Sequence, residues 1–393
     1  MTSLLVVAGE ASGDRAAAAV LARLRGVPTF GMGGGAMEAE GTELICDLRE
    51  TTALGVTEVA VRACNVALSY ARLRRAIAAR KPTAALLVNY TEFNSHLAKD
   101  LWRVGTRVLW YGAPQIWAWR RNRGVFLRRH LDRMAVMLPF EENQWRELGV
   151  DARYVGHPAL EEIVASERHA GIARDARATS RELLGLTPYA KAVAILPGSR
   201  PHEVRRLLVP MLEGFENVRR DRASVDGRVF LAPSLDAKTR AWARAATHEM
   251  ELETVEVDAH GGIAYAIAGF DVALTASGTA SLESALAGAV PIVCYRVGLL
   301  TELGARALMT TPYVALPNIL LGRAAFPELL QRDATSTRIA EALGRTIDDR
   351  ATLLTSCEEV RTILGSKTSA SREVARMLAP WLGTTASEVP KHA

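Results

Sequence analysis

Ala192-Val193-Ala194-Ile195-Leu196 runs straight into Pro197-Gly198-Ser199-Arg200-Pro201, and this stretch decides the fold. Its apolar half is short enough for a strand and has no polar alternation, so helices must cover both faces of the sheet it joins. Gly198 permits a tight turn, Pro201 suits the first turn of a helix, and Ser199 is placed to cap it. A helix starting there aims N–H groups and its positive dipole end at the turn, beside the forked guanidinium of Arg200. Such a turn can seat a diphosphate, although an ordinary strand-to-helix turn with a surface arginine looks the same when taken alone.

A second strand, Asp271 to Thr275, ends in Ala276-Ser277-Gly278-Thr279-Ala280-Ser281-Leu282-Glu283. Small residues let a ligand approach the backbone, and the stretch again opens a helix, so a second anion seat is expected. Glu283 can accept both hydroxyls of a ribose; compensation of the helix dipole, worth ~0.3–1 kcal/mol, is its plainer role. Two such turns at strand ends of one sheet are what a nucleotide diphosphate requires. Gly198, Ser199, Arg200, Glu203, Ser277, Gly278, Thr279, Ala280 and Glu283 are the nucleotide-binding candidates.

Outward from these turns, apolar runs recur at Leu4 to Val7, Ala84 to Val88, Arg107 to Tyr111, Met134 to Leu138, Val229 to Ala232 and Val290 to Tyr295, separated by longer helical patterns. This alternation means βαβ units and parallel sheets, arranged in two successive blocks. Glu161 to Glu182, without a strand pattern, reads as a helical or flexible connector and the place of the domain boundary. The expected organisation is therefore α/β. It comprises a Rossmann-like domain over 1–168, a second over 185–350 that faces it across a cleft, and closing helices over 351–393 that cross back to the first. Helical patterns cover Ala334 to Ile347, Arg350 to Leu364 and Thr368 to Leu382, and Gly383 to Ala393 reads as a frayed end.

At 393 residues, 49% hydrophobic and 23% charged, the chain is long enough for two packed cores, and disordered, collagen-like and coiled-coil readings fall away. Its four cysteines are far apart with no CxxC spacing, as in a reducing compartment. Glu10 and Asp14 interrupt the first apolar run before it can serve as an export signal, and no stretch reaches the ~18 apolar residues a membrane span needs. Residues 1–160 hold 21 Lys and Arg against 15 Asp and Glu, which accounts for the net charge of +5. From Glu58 to Glu92 there is no acid between, while Arg62, Arg72, Arg74, Arg75, Arg80 and Lys81 fall in the gap, a face suited to an anionic partner.

In the first block, Leu4 to Val7 feeds Gly9-Glu10-Ala11-Ser12-Gly13-Asp14, and Gly31-Met32-Gly33-Gly34-Gly35 reads as a further loop. Neither spells GxGxxG before a helix with an acid ~20 residues on, so a nicotinamide or flavin cofactor is not supported. A Walker loop, HExxH and GxSxG are absent, and the eight histidines do not cluster, so neither a cofactor nor a metal is expected. An RNA-binding sheet or recognition helix is also missing, which argues against nucleic acid.

Taken together, these segments resemble the lipid-A-disaccharide synthase family. The resemblance spans nearly the whole chain: Gly9 to Asp14, Gly31 to Gly34, Leu54-Gly55 with Glu58-Val59, Phe93-Asn94, Pro114 to Arg120, Leu138-Pro139-Phe140-Glu141, Val155-Gly156-His157-Pro158, Leu196 to Arg200, Ala276 to Glu283 and Pro317-Asn318. It implies a GT-B-type glycosyltransferase that moves 2,3-diacylglucosamine from UDP-2,3-diacylglucosamine to 2,3-diacylglucosamine 1-phosphate. The products would be UDP and a β-1′,6-linked disaccharide phosphate, a step of lipopolysaccharide synthesis in Gram-negative cells. Its implied setting is cytoplasmic and peripheral on the inner membrane, with the oligomeric state, a homodimer included, left open. On the matching motifs, Ser12, Gly13 and Asn318 join the donor-binding set.

An inverting displacement needs a base for the acceptor hydroxyl and positive charge for the leaving UDP. Where the family carries Asp, a variable residue and Pro-Asp-Phe-Asn, this chain reads Asn89-Tyr90-Thr91-Glu92-Phe93-Asn94. One carboxylate is lost at Asn89, and the other is carried one methylene further out. Glu92 is the expected base, with Asn94 beside it and Glu10 or Asp14 as substitutes; a solvated loop acid is the plainer reading of Glu92. Trp117, Trp119, Arg120, Arg121, Arg128 and Arg129 are expected at the membrane or acceptor, since aromatics among arginines suit an anionic headgroup layer. Interior tryptophans and a solvated arginine face are the plainer account. A 2-epimerase or related transferase acting on UDP-N-acetylglucosamine, and a catalytically weak nucleotide-sugar-binding relative, are the alternatives.

Overall fold

The computed structural model describes residues 2–48, 59–117, 123–170, 176–187, 189–222, 224–257, 263–276, 278–296, 311–365 and 369–387. The chain forms two compact units, Met1–Pro158 with Lys367–Ala393, and Ala159–Ser366. In chain order the first runs β1 (Leu4–Ala8), α1 (Ala11–Leu21), β2 (Thr29–Gly33), α2 (Gly35–Ala39), β3 (Glu43–Asp47), α3 (Val59–Arg80), β4 (Ala84–Val88), α4 (Thr91–Arg103), β5 (Arg107–Tyr111), α5 (Arg123–Leu127), β6 (Arg133–Val136), α6 (Pro139–Glu147) and β7 (Ala152–Tyr154). After α7 (Pro158–Ala170) the second runs α8 (Ala176–Leu183), β8 (Lys191–Leu196), α9 (Pro201–Asp221), β9 (Val225–Leu231), α10 (Ala237–Glu249), β10 (Glu253–Glu256), α11 (Ile263–Ile267), β11 (Val272–Ala276), α12 (Thr279–Leu286), β12 (Val290–Tyr295), α13 (Leu316–Leu321), β13 (Glu328–Leu330), α14 (Ser336–Asp348) and α15 (Arg350–Leu364). The last helix, α16 (Ala370–Leu382), belongs to the first unit.

Each unit is a parallel sheet covered on both faces. The first has seven strands in the order β3-β2-β1-β4-β5-β6-β7, the second six in the order β10-β9-β8-β11-β12-β13. Alternate residues of β1 supply the two cores: Leu4, Val6 and Ala8 pack with α1 and α16, while Leu5 and Val7 pack with Leu73, Leu97, Leu101, Trp110 and Trp145. In β8, Val193 and Ile195 meet α9 and α14, while Ala192, Ala194 and Leu196 meet Phe230 and Phe270. Removing both sides of each strand from water is worth roughly 1.5–3 kcal/mol per large side chain.

Of the tail assigned to crossing helices, α16 alone returns. Val374, Leu378 and Leu382 share one of its faces and pack against Val20, Leu21 and Leu24. Arg133 fastens it by donating to the Met377 carbonyl (2.7 Å) and lying over the Trp381 ring. Helix α15 packs on α12, α13 and α14 of the second unit. The chain beyond α16 is not frayed as far as residue 387: Ala386 bridges Leu24, and Ser387 N–H donates to the Arg23 carbonyl (2.9 Å).

The glycine run expected as a loop is partly strand β2, and the reason is space. A Cβ at Gly31 would lie 1.8 Å from the Val6 carbonyl oxygen of the neighbouring strand. At the other end of the second sheet, Asp271 takes the Ala192 N–H (2.9 Å) and faces Arg177 (2.9 Å) and Arg350 (3.0 Å), with Arg181 at 3.7 Å. It ties α8 and α15 to the start of β11.

Candidate functional site

In both sheets the strand order reverses direction beside the first strand of the unit, and such a switch point opens a crevice at the carboxyl ends of the strands. In the second sheet it lies between β8 and β11, whose registered pairs run from Val193↔Val272 to Leu196↔Thr275. Chain topology therefore brings the two expected turns side by side, although 80 residues separate Gly198 from Gly278.

The turns differ in how their helices begin. At α9 the N-cap is Arg200, not Ser199, and the cap is Glu203: one oxygen accepts the Ser199 and Arg200 N–H groups (both 3.3 Å), the other the Arg200 guanidinium (3.0 Å). The N–H groups expected to be free are thus held by the chain's own carboxylate. Gly198, at φ +120°, makes room, since a Cβ there would lie 2.7 Å from that oxygen. What α9 offers an anion is the exposed Arg200 guanidinium.

At α12 no side chain among the described residues caps the helix; its N-cap is Gly278 at φ +140°, with none of them within 4 Å of a Cβ placed there. Ser281 and Ser284 turn their hydroxyls inward onto the Gly278 and Ala280 carbonyls (2.8 and 2.7 Å). Thr279 is exposed, Ala280 and Glu283 half-buried, and Ser277 lies outside the described residues. The result is an open, positive helix start. Tyr295, missed in the sequence, ends β12 close enough to Glu203 and Arg200 to feel both charges, and burial raises its hydroxyl above the ordinary value. Its position at a strand end was the available signal.

Asn318 is turned into the scaffold. Fully buried, it donates to the Phe326 carbonyl and Glu328 (2.9 and 2.8 Å) and accepts the Ala325 and Phe326 N–H groups (3.0 and 2.9 Å). Its whole amide capacity is spent on the scaffold.

In the first sheet the switch point lies between β1 and β4, where Ala8 pairs with Val88. Gly9 to Asp14 and Asn89 to Asn94 leave these strand ends. Asn89 and Tyr90 are both left-handed (φ 48° and 44°), a conformation non-glycine residues hold only under constraint. The constraint is visible. Tyr90 sits on Gly9, where a Cβ would be 2.2 Å from its ring, and stacks on Phe93 with centroids 5.0 Å apart. Asn94, fully buried, donates to the Val88 and Asn89 carbonyls (3.3 and 3.0 Å) and so pins the turn that carries Glu92. Glu92 itself is exposed in the first turn of α4, Glu10 and Ser12 are exposed at the start of α1, and Gly13 is buried against Ala8 and Val88.

Asp14 is differently employed. Buried, it accepts the N–H groups of Gly34 (2.7 Å), Ala36 (3.0 Å) and Met37 (3.2 Å), anchoring the turn into α2. A Cβ at Gly34 would lie 2.8 Å from this carboxylate and one at Gly33 3.1 Å, which explains the second and third glycines of that run no less than their flexibility does.

The aromatic and basic set divides between two edges of the first sheet. Trp117, half-buried beyond the carboxyl end of β5, donates its indole N–H to Glu141 (2.9 Å) and meets Phe140 edge-on. Arg128 and Arg129, both exposed, lie on the approach to the start of β6, near exposed Phe126 and Trp102, which stand against His130. Trp119, Arg120 and Arg121 lie outside the described residues.

The lipid-A-disaccharide synthetase family model matches residues 4–379. The chain is 39% identical to the lipid-A-disaccharide synthase of Myxococcus xanthus over 383 residues, covering 95% of this chain and 96% of that one. It is 38% identical to that of Anaeromyxobacter dehalogenans over 369 residues, 92% and 93% of the two chains. Among solved structures, UDP-GlcNAc 2-epimerase from Neisseria meningitidis bound to UDP-GlcNAc superposes with a TM-score of 0.69 at 11% identity, covering 97% of this chain and 100% of that one. MurG of Acinetobacter baumannii superposes with 0.56 at 13%, covering 97% and 100%. These two likenesses concern the fold, which is of the GT-B kind, and do not favour an epimerase reaction. With the sequence match running through both sheets and both switch points, the chain belongs to the lipid-A-disaccharide synthase family of glycosyltransferases.

Proposed function

We propose that this chain transfers 2,3-diacylglucosamine from UDP-2,3-diacylglucosamine to 2,3-diacylglucosamine 1-phosphate, with inversion and release of UDP. The observation that carries the reading is the pairing of Leu196 with Thr275, which sets Arg200 beside the uncapped start of α12. The second unit takes UDP there. Its diphosphate charge, growing as the glycosidic bond breaks, falls on the α12 N-terminus and the Arg200 guanidinium, with Glu283 at the ribose. This distribution asks for no divalent metal. The first unit takes the acceptor, and Glu92, exposed beside the pinned turn, removes the proton from its attacking hydroxyl.

Peripheral contact with an anionic membrane face on the cytoplasmic side belongs to the same reading, supported by the exposed Arg128, Arg129 and Phe126. Among the described residues, no helix is long and apolar enough to cross a membrane. One observation favours a second reading: Asn89 stands where the family carries a carboxylate, as in a relative that binds nucleotide sugars without turning them over.

The two readings part in one assay, in which purified protein, both diacyl substrates and detergent are followed for UDP and disaccharide. Turnover is expected, undiminished by chelator. Glu92→Gln should lower it by ~10²–10⁴-fold with UDP affinity kept, and Arg200→Ala should weaken UDP binding. UDP binding without turnover would establish the second reading, and a Glu92→Gln enzyme of normal rate would move the base to Glu10.

A further inference from the structure

We propose that Glu141 is a positioning residue of the acceptor side, holding Trp117 and the 113–117 turn in place through its buried carboxylate. Leu138-Pro139-Phe140-Glu141 is a helix start, and Glu141 performs the ordinary duty of a capping acid by accepting the Leu138 N–H (3.2 Å). Capping acids usually do this in water. Here the side chain is 2% exposed, and its second oxygen accepts the Trp117 indole N–H at 2.9 Å. Trp117 leaves β5 and Glu141 leaves β6, so one carboxylate links the exits of two adjacent strands at the edge where Asn89 to Asn94 also lie. Phe140 fixes the indole by an edge contact, with centroids 5.4 Å apart.

The tether reaches the catalytic turn. The held segment begins at Gly112, where a Cβ would lie 2.0 Å from Asn89 Oδ1 and 3.0 Å from Met137 Cε. Asn89 thus sits against the start of the segment whose end Glu141 grips. A glutamine has one accepting oxygen and would lose one of these two N–H partners, so holding the cap and the indole together asks for a carboxylate, even at the cost of burying a charge. Burial pushes Glu141 up to about 7, and the hydrogen bond from Trp117 is the largest influence holding it down.

Among the described residues, no charged side chain contributes to that shift. On α6 Glu142 pairs with Arg146 and takes the Tyr154 N–H; on β6 and β7 Arg133 and Arg153 both face Asp151; Tyr154, raised by burial, stays neutral. The indole N–H is therefore the chief partner of the charge. Ionised, Glu141 grips it through a charge-assisted bond; protonated, more weakly.

The proposal rests on the assignment of Trp117 to the acceptor, and kinetics across neutral pH separate the two. In the unmodified enzyme the acceptor KM should rise as pH falls through about 7. Glu141→Gln should keep the donor KM, raise the acceptor KM about tenfold and abolish that break. Trp117→Phe, lacking the N–H, should move the break to higher pH. If Trp117→Ala raises the acceptor KM while Glu141→Gln leaves both KM and break unchanged, or lowers only the melting temperature, Glu141 is merely a cap and the proposal fails. An unchanged acceptor KM in Trp117→Ala would overturn the assignment of Trp117 and the proposal with it.

Discussion

Asp14 and Glu92 are both acids at the carboxyl edge of the first sheet, yet their surroundings give them opposite duties. Asp14 is enclosed and meets three N–H groups of the turn into α2; Glu92 is exposed on a turn pinned from beneath by Asn94. Removing Asp14 strands three buried donors, so Asp14→Ala should lower stability by about 2–4 kcal/mol in chemical denaturation, with Asp14→Asn intermediate. A variant that unfolds like the unmodified protein but has lost turnover would make Asp14 part of the chemistry instead. The partners of Asp14 lie twenty residues away or more, as does that of Glu141, and nothing in the local sequence announces either pairing. The glycines of both switch points were legible because a turn at a strand end has a local signature. Tyr295 and the saturated amide of Asn318 were not, because proximity and satisfaction are properties of the folded chain.

Apart from glycine-rich β2, interior strands were readable as unbroken apolar runs, and the other strands that escaped notice share a physical reason. β3, β7, β10 and β13 are the edges of the two sheets, short and carrying Glu43, Arg153, Glu253 and Glu328. An edge pairs on one side only and tolerates charge that an interior strand cannot. Helix starts show the same limit: α9 and α12 both follow small residues, and only the fold reveals that Glu203 fills the first while the second stays open. The opposite end of the second sheet depends on one acid. Asp271 is 3% exposed among Arg177, Arg181 and Arg350, so Asp271→Ala leaves buried guanidinium charge uncompensated and should cost about 3–5 kcal/mol, read as a lower melting temperature. UDP affinity measured below that temperature should be retained, since the site lies at the other edge.

Across the first unit two buried groups oppose each other in acid. His157 is held down at about 4 by burial, against an ordinary 6.5, so its contribution to stability is full above 6.5 and lost as pH falls through 4. Glu141 is held up at about 7 against 4.5, so its contribution is full below 4.5 and lost as pH rises through 7. Between 4.5 and 6.5 folding releases one proton from the first and takes one up at the second, and the slopes cancel. Each is worth about 3 kcal/mol over its range. Glu141→Gln should therefore unmask stability that rises with pH, and His157→Gln stability that falls with it, in unfolding followed at several pH values. Parallel profiles for both variants and the unmodified protein would contradict this pairing.

The return of α16 also has a consequence for synthesis. Val20, Leu21 and Leu24 are translated about 350 residues before the residues that cover them, Val374, Leu378 and Leu382. The second unit can close on its own contacts meanwhile, whereas the first must wait with one greasy flank uncovered until α16 follows. Nascent chains stalled before residue 370 should on this account be the forms most exposed to aggregation and most dependent on chaperones.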